Sequence, residues 1–564
     1  MTSSRHARHA AMFLFGLVIC AANASSAEQS DSKGGPNYTG IEQTDYINKF
    51  IRQGWKDFDY TPSEAASEGE WCRRVFLDII GRIPSVKELD QFLTDKSPDK
   101  KVKLVDRLLS DSYVEEYARN WTTLWTNILI GRSGGTERDS LINREGMQQY
   151  LRRSFQRGKP YNKLVEELVS ATGNNKPGNP GFNGAVNFLT QKLEEEAAQA
   201  TARTSQIFMG IRVQCTQCHD HPFNNWKQDQ FWTMNAFFRQ TVALRRYEGG
   251  QDVVHVELDN QDYQGPTSNP EEAEVFYELR NGELRAAYPK FIDKDGTEKK
   301  LPRSGFLDDV NRRQELAKLV SKSGYMPIAM VNRMWAHFLG YGFTKPFDDM
   351  GPHNPSSHPE LLDKLSADFR ANGFEIKDLI RWITLSEAYS LSSKFNSGNR
   401  EDDPTLGNQP MFSRFSPRQM RAEELYESLL VATEAHKTRG SYEEQEAAKQ
   451  KWLGQFIIAF GTDENDEAST FDGTIPQILM MFNGEMVKKA TSTETGSFLH
   501  RVSLERTSST EKVNKLFKAA LARPATASER QWANIALRGR SNVVEALQDM
   551  WWVLLNTNEF ILNH

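Results

Sequence analysis

"VQCTQCHDHPFNNWKQDQFWTMNAFF", residues 213–238, gathers two cysteines and two histidines into the seven residues from Cys215 to His221. The whole chain of 564 residues holds four cysteines and eleven histidines, so the grouping needs a reason. The same stretch places the fold. The residues before it, "LTQKLEEEAAQATARTSQIFMG" (189–210), read as one long helix ending at Gly210, and an aromatic-rich helix resumes at Gln228. The cluster is therefore expected in a loop between helices, within a chain that is mainly α.

Cys215-x-x-Cys218-His219 is the attachment sequence of c-type haem. Two thiols three residues apart can add to the two vinyl groups on one haem edge, and the histidine that follows then lies under the iron. Phe223, Trp226, Phe231, Trp232, Phe237 and Phe238 are expected to line an apolar pocket. Arg212, Lys227 and Arg239 are expected to meet the propionates. For a sixth ligand Met234 is the nearest thioether, with Met209, His337, His353 and His358 further away. An open sixth position would favour ligand binding or redox sensing over electron transfer.

Two alternatives stay open. Cys215, Cys218, His219 and His221 carry the atoms of a tetrahedral zinc site, structural or hydrolytic. A metal of this kind would draw on His219, His221 and Asp220, with Met234, His337 and His358 as further donors. The other alternative is a plain Cys215–Cys218 disulfide in a non-catalytic envelope interaction module. No H-E-x-x-H, G-x-S-x-G or phosphate loop occurs. Asp220, His221, Asp229, Asp348, Asp349, His353, His358 and Glu360 suit a hydrolytic metal centre by type, but nothing in the sequence places them together.

Around the cluster the chain reads as two helical domains with a small β-rich insertion between them. Residues 46–240 form the first, 241–305 the insertion and 306–564 the second. In the first, "PSVKELDQFL" carries a capping box from Ser85 to Glu88, and "SPDKKVKLVDRLL" starts a helix with Ser97 as cap and Pro98 at the first turn. Cys72 reads as a lone buried thiol. In the insertion, "DVVHVELDN" alternates with Val254, Val256 and Leu258 on one side, and Asn281-Gly282 lies between two short runs, a hairpin signal. In the second domain, Ser357/Glu360 and Thr526/Glu529 suggest further capping boxes.

Net charge is −6, which gives no basic footprint for nucleic acid. Mean hydropathy is −0.62, against a multi-span membrane protein. Residues 1–24 read as an export signal: Arg5 and Arg8, then an apolar run, then Ala22-Asn23-Ala24. Cys20 also invites a lipid anchor, although Ile19 precedes it where a small residue is expected. Residues 25–45 read as a flexible tether. The mature protein is thus expected in the periplasm or cell envelope, with no stable membrane span after signal cleavage, and with a redox partner or envelope protein of unknown identity.

Two longer stretches carry a family resemblance. "WCRRVFLDIIGRIPSVKELDQFLTDKSPDKKVKLVDRLLSDSYVEEYARNWTTLW" and "TSQIFMGIRVQCTQCHDHPFNNWKQDQFWTMNAFF" resemble the planctomycete cytochrome c-like domain of unknown function, second type. "VNRMWAHFLGYGFTKPFDDMGPHNPSSHPELLDKLSADFRANGFEIKDLIRWITLSEAYSLSS", with "IPQILMMFNG" and "WWVLLNTNEFILNH", resembles the partner domain of unknown function that usually follows it. The resemblance implies a pattern running from Cys215 through Asp220, His221, Pro222, Phe223 and Trp226. In the partner it includes Asn332, Arg333, Trp335, His337, Asp348, Asp349, Gly351, Ser357, His358, Pro359 and Glu360. It implies no activity. Many relatives add an N-terminal cytochrome c domain that is not seen here, so one covalent haem at most is expected. A simple haem loop has no use for Asp220 and His221. They would serve a second metal, fix the His219 ring, or cap a turn.

Overall fold

A computed structural model describes residues 40–564 apart from 138–139, 248–252, 439, 462–474 and 541. The segment read as an export signal, 1–24 with Cys20, and the segment read as a tether, as far as residue 39, lie outside the described residues. The helix Glu42–Asp57 starts inside the segment read as tether.

The chain is mainly α, with small antiparallel sheets between helical regions. The organising element is the helix Tyr325–Leu339. Its sequence, "YMPIAMVNRMWAHFL", is apolar on nearly every side, and all but Tyr325 and His337 are buried. A helix of that kind needs covering all round. It packs against Pro359–Ala371, Ile376–Thr384 and the turn Ser205–Met209.

The two helical regions share this core. Glu42–Asp57 lies on the second region's helices: Tyr46 Oη donates to Asp368 Oδ2 at 3.0 Å, and Trp55 Nε1 donates to the Met411 carbonyl at 2.9 Å. Residues from Tyr46 to Phe415 form one hydrophobic cluster. A second cluster combines Leu77 and Ile83 with residues from Met420 to Ile561.

In the sheet region Thr241–Tyr247 pairs with Val253–Asn260, which also pairs with Gly173–Asn174. Val256 and Leu258 are buried. Asn281-Gly282 turns the hairpin between Val275–Glu278 and Leu284–Ala287, with Gly282 at φ 83°. Two fully buried arginines bind these strands to the helices. Arg313 donates to the carbonyls of Val169 and Ala171 and to Asn260 Oδ1, at 3.0, 2.6 and 2.9 Å. Arg312 donates to the carbonyls of Ala236, Ala273, Arg303 and Ser304.

The capping boxes Ser85/Glu88 and Thr526/Glu529 are present. Three local expectations fail. The helix after Ser97 starts at Lys100, because Ser97 Oγ bonds Asp95 Oδ1 instead of capping. Ser357 is not a cap: His358 holds that position, and Ser357 Oγ bonds its ring. The long helix over 189–210 is broken. Glu195, Glu196 and Ala197 adopt φ of 51°, 59° and 61°, and the α-helix runs only over Ala198–Thr204. Asn235 Nδ2 and Arg239 Nη1 donate to the Glu196 carbonyl at 2.8 and 2.9 Å, so tertiary bonds hold a turn that local propensity opposes.

Among the described residues no helix is long and apolar enough to cross a membrane. Far from the cysteines, the fully buried Asp78 joins distant parts of the chain. It accepts from Tyr389 Oη at 2.6 Å, Arg418 Nη2 at 2.6 Å and Asn563 Nδ2 at 2.8 Å. Removing one partner of such a network strands the others, so Asp78→Ala should lower unfolding free energy by about 3–5 kcal/mol. Denaturant titration of the two proteins measures the difference.

Candidate functional site

The chain reaches the cysteines from an anchored start. The turn Ser205–Met209 ends at Gly210 with φ 68°. A Cβ there would come within 2.5 Å of Met350 Cε and 3.2 Å of Ala329 Cβ, so glycine is required both by conformation and by space. The Gly210 carbonyl accepts from Met350 N at 2.8 Å. Asp348, 1 % exposed, accepts from Gln206 Nε2 at 2.8 Å and from Arg212 Nε at 2.9 Å. The segment 348–350 of the second helical region therefore fixes the entry to the loop.

Cys215 lies on the 3₁₀ turn Gln214–Gln217 and Cys218 follows it. Thr216 Oγ1 donates to the Val213 carbonyl at 2.6 Å, and Cys218 N donates to the Cys215 carbonyl at 3.3 Å. From the far side Trp232 Nε1 donates to the Gln217 carbonyl at 3.0 Å. Both thiols are free; Cys215 is half-buried and Cys218 exposed. Burial raises the Cys215 pKa, and the Asp349 carboxylate adds to it.

The two histidines differ in tautomer. His219 Nδ1 lies 2.7 Å from the Asp220 carbonyl. A carbonyl can only accept, so Nδ1 is the donor in this bond. His221 is the reverse. Its Nδ1 accepts from Phe223 N at 3.2 Å and Asn224 N at 2.9 Å, which leaves the proton on Nε2. His219 thus turns one ring nitrogen to the backbone, and His221 is engaged in shaping the loop. His221 N also donates to the Trp226 carbonyl at 2.8 Å. Partial burial lowers the His221 pKa.

Asp220 completes the loop. Its Oδ1 accepts from Gln228 N at 3.0 Å, at the start of the helix Gln228–Asn235, and its Oδ2 pairs with Lys227 Nζ at 3.0 Å. The backbone bond and then Lys227 hold this carboxyl below its usual pKa.

Several expected partners are elsewhere. Met234 is buried, and its sulfur accepts from Ser205 Oγ at 3.3 Å. His337 stands in the core against Trp121 and Phe338, with ring centroids at 5.3 and 4.9 Å, and burial pushes its pKa down to about 3. His358 stands between Phe343 and Phe412, and burial pushes its pKa down to about 4. Donor type had selected all three, but apolar packing has claimed them. The expected haem pocket is also absent in that form. Phe231, Phe237 and Phe238 are core residues, and Phe223 is 74 % exposed. Arg212 pairs with Asp348, Lys227 with Asp220 and Arg239 with Glu196. Among the described residues no group of three or more His, Cys, Asp or Glu side chains is arranged to hold a metal ion.

The structure does bring together residues that sequence reading could not. The His353 ring lies 5.5 Å from the His221 ring, and His353 Nε2 lies 3.2 Å from Asp349 Oδ2. Asp349 Oδ1, His353 Nδ1 and Asn224 Nδ2 are buried without a hydrogen-bond partner. Asp229 pairs instead with Lys290 Nζ at 3.2 Å. No local signal marks the meeting, because it depends on segment 348–353 returning to a loop more than a hundred residues earlier in sequence.

Residues 46–243 match the family described as PSCyt2, protein of unknown function (DUF1549), and residues 312–469 match PSD1, protein of unknown function (DUF1553). Comparison with curated proteins and with solved structures finds no match.

Two outcomes test this geometry. His221→Ala removes the acceptor for two backbone amides, so hydrogen exchange at Phe223 and Asn224 should accelerate while the core helix Tyr325–Leu339 keeps its protection. His358, neutral in the fold and protonated when unfolded, makes the protein less stable as pH falls from 6.5 toward about 4. His358→Gln should therefore flatten the dependence of unfolding free energy on pH in that window by about 1.4 kcal/mol per pH unit.

Proposed function

The chain is a PSCyt2 protein whose second region is a PSD1 domain, and on that footing we propose that it carries one c-type haem. Cys215 and Cys218 would hold the haem through thioether bonds, each thiol adding across a vinyl group, and His219 Nε2 would ligate the iron. The observation that carries this reading is the state of the donor set: two unpaired thiols on one turn, followed by a histidine whose Nδ1 bonds a carbonyl. A carbonyl partner on one nitrogen is the arrangement that orients ligating imidazoles and raises their basicity.

The haem would supply one-electron chemistry and an iron site outside the cytoplasm. Met234, His337 and His358, held in the core, would take no part in holding the haem, whereas His353 stands beside the loop. Zinc is the weaker reading. The His221 proton sits on Nε2, and the described residues hold no three-donor group. The free thiols likewise give no support to a structural disulfide. The export signal in the sequence supports a location where haem is joined to protein.

Protein matured with a cytochrome c assembly system should be red, give a pyridine haemochrome spectrum, and keep its colour through acid–acetone. Cys215→Ser with Cys218→Ser should abolish the covalent attachment and leave the far-UV spectrum unchanged. Native protein with no mass beyond its amino acids, or with zinc in place of iron, overturns the proposal.

A further inference from the structure

Beside the loop lies a cleft of about 580 Å³, within the size range of small-molecule sites. One wall is the stretch directly after His221: Asn224, Asn225, Trp226 and Gln230. The others are the β insertion around Asp293 and Lys294, and the second helical region with Tyr325 and Gly351. Cys215, Cys218 and His219 do not line it.

The charges at this cleft are taken. Lys294 Nζ pairs with Asp363 Oδ1 at 3.2 Å. Asp293 Oδ1 accepts from the backbone N of Lys294 at 2.7 Å and of Gly324 at 2.8 Å. No uncompensated cation among the described lining residues remains to receive a phosphate, sulfate or carboxylate. The groups left over are neutral. Asn224 Nδ2 is buried and has no partner, an unmet donor that burial makes costly. Gln230 uses its Oε1 for Lys227 N and has its Nε2 left. Asn225, the largely buried Trp226 and Tyr325 also line the cleft, and their side chains make no hydrogen bond inside the described chain.

A carboxamide presents one acceptor and two donors side by side. Neighbouring hydroxyls on a ring each donate and accept, and meet that pair in one plane. An aromatic ring offers the apolar face of such a molecule a surface. We infer that this cleft binds a neutral saccharide, recognised through the side chains of Asn224, Asn225 and Gln230 with Trp226 and Tyr325 beside them.

The inference accounts for the two loop residues that haem attachment does not use. Asp220 starts the helix that carries Gln230, and His221 closes the turn that carries Asn224, Asn225 and Trp226. They are positioning residues for the cleft wall. Nothing here depends on haem.

The test uses the full chain and a panel of neutral aldohexoses, pentoses and their disaccharides, with glucose 6-phosphate and glucuronate as anionic controls. Tryptophan fluorescence and thermal shift are the readouts. At least one neutral sugar should bind saturably, and Asn225→Ala and Tyr325→Phe should each weaken it by about tenfold. Asn225 is exposed and Tyr325 is partly buried against the core cluster, and unchanged circular dichroism confirms folding. His221→Ala should weaken the same sugar, whereas Cys215→Ser with Cys218→Ser should leave its affinity unchanged, which separates this site from the haem reading. Absence of saturable binding to every neutral sugar overturns the inference. So does equal binding of the anions, or affinity that Asn225→Ala and Tyr325→Phe both leave intact.

Discussion

The buried carboxylate of Asp348 is the constraint on which the site depends. It accepts from Gln206 and Arg212, on either side of Gly210, while Met350 binds the Gly210 carbonyl. The loop that carries Cys215 and Cys218 therefore has its origin fixed by the second helical region. A carboxylate with so little exposure needs such partners, and losing one leaves a buried acceptor unmet. The PSD1 region is thus more than an appendage to the cysteine loop. It supplies the floor from which that loop rises, and the Asp349 and His353 groups that meet His221.

Within the loop, two histidines two residues apart perform opposite work because their ring nitrogens face opposite partners. His219 meets an acceptor and His221 meets donors. This separation would not follow from residue type, since either imidazole can ligate a metal. It also divides the loop into a cysteine half, Cys215 to His219, and a half that lines the cleft, Asn224 to Gln230, joined by Asp220 and His221 acting on the backbone.

Most local signals were legible, the caps at Ser97 and Ser357 excepted, and long-range ones were not. Ser85 with Glu88, Thr526 with Glu529, Asn281-Gly282 and the alternation through Val256 and Leu258 all act over a few residues, and all appear in the structure. The expected helix over 189–210 fails where Asn235 and Arg239 pull the Glu196 carbonyl into a left-handed turn. The same limit explains His337, His358 and Met234: their donor atoms suggested ligands, but only packing against Trp121, Phe412 and Ser205 decides that they are core. The place of the cysteines in a loop was legible, because the helix end at Gly210 and the helix start at Gln228 are local signals. The Asp349–His353–His221 meeting was not.

The shared core has a consequence for how this protein matures. The helix Glu42–Asp57 emerges first, yet its partners Trp382 and Met411 come more than three hundred residues later. A chain made amino-terminus first would keep that helix waiting, its apolar face uncovered, until most of the polypeptide is present. Such late closure is slow and prone to aggregation. It would also leave the loop of Cys215 and Cys218 without the floor beneath it until residues 348–350 are in place.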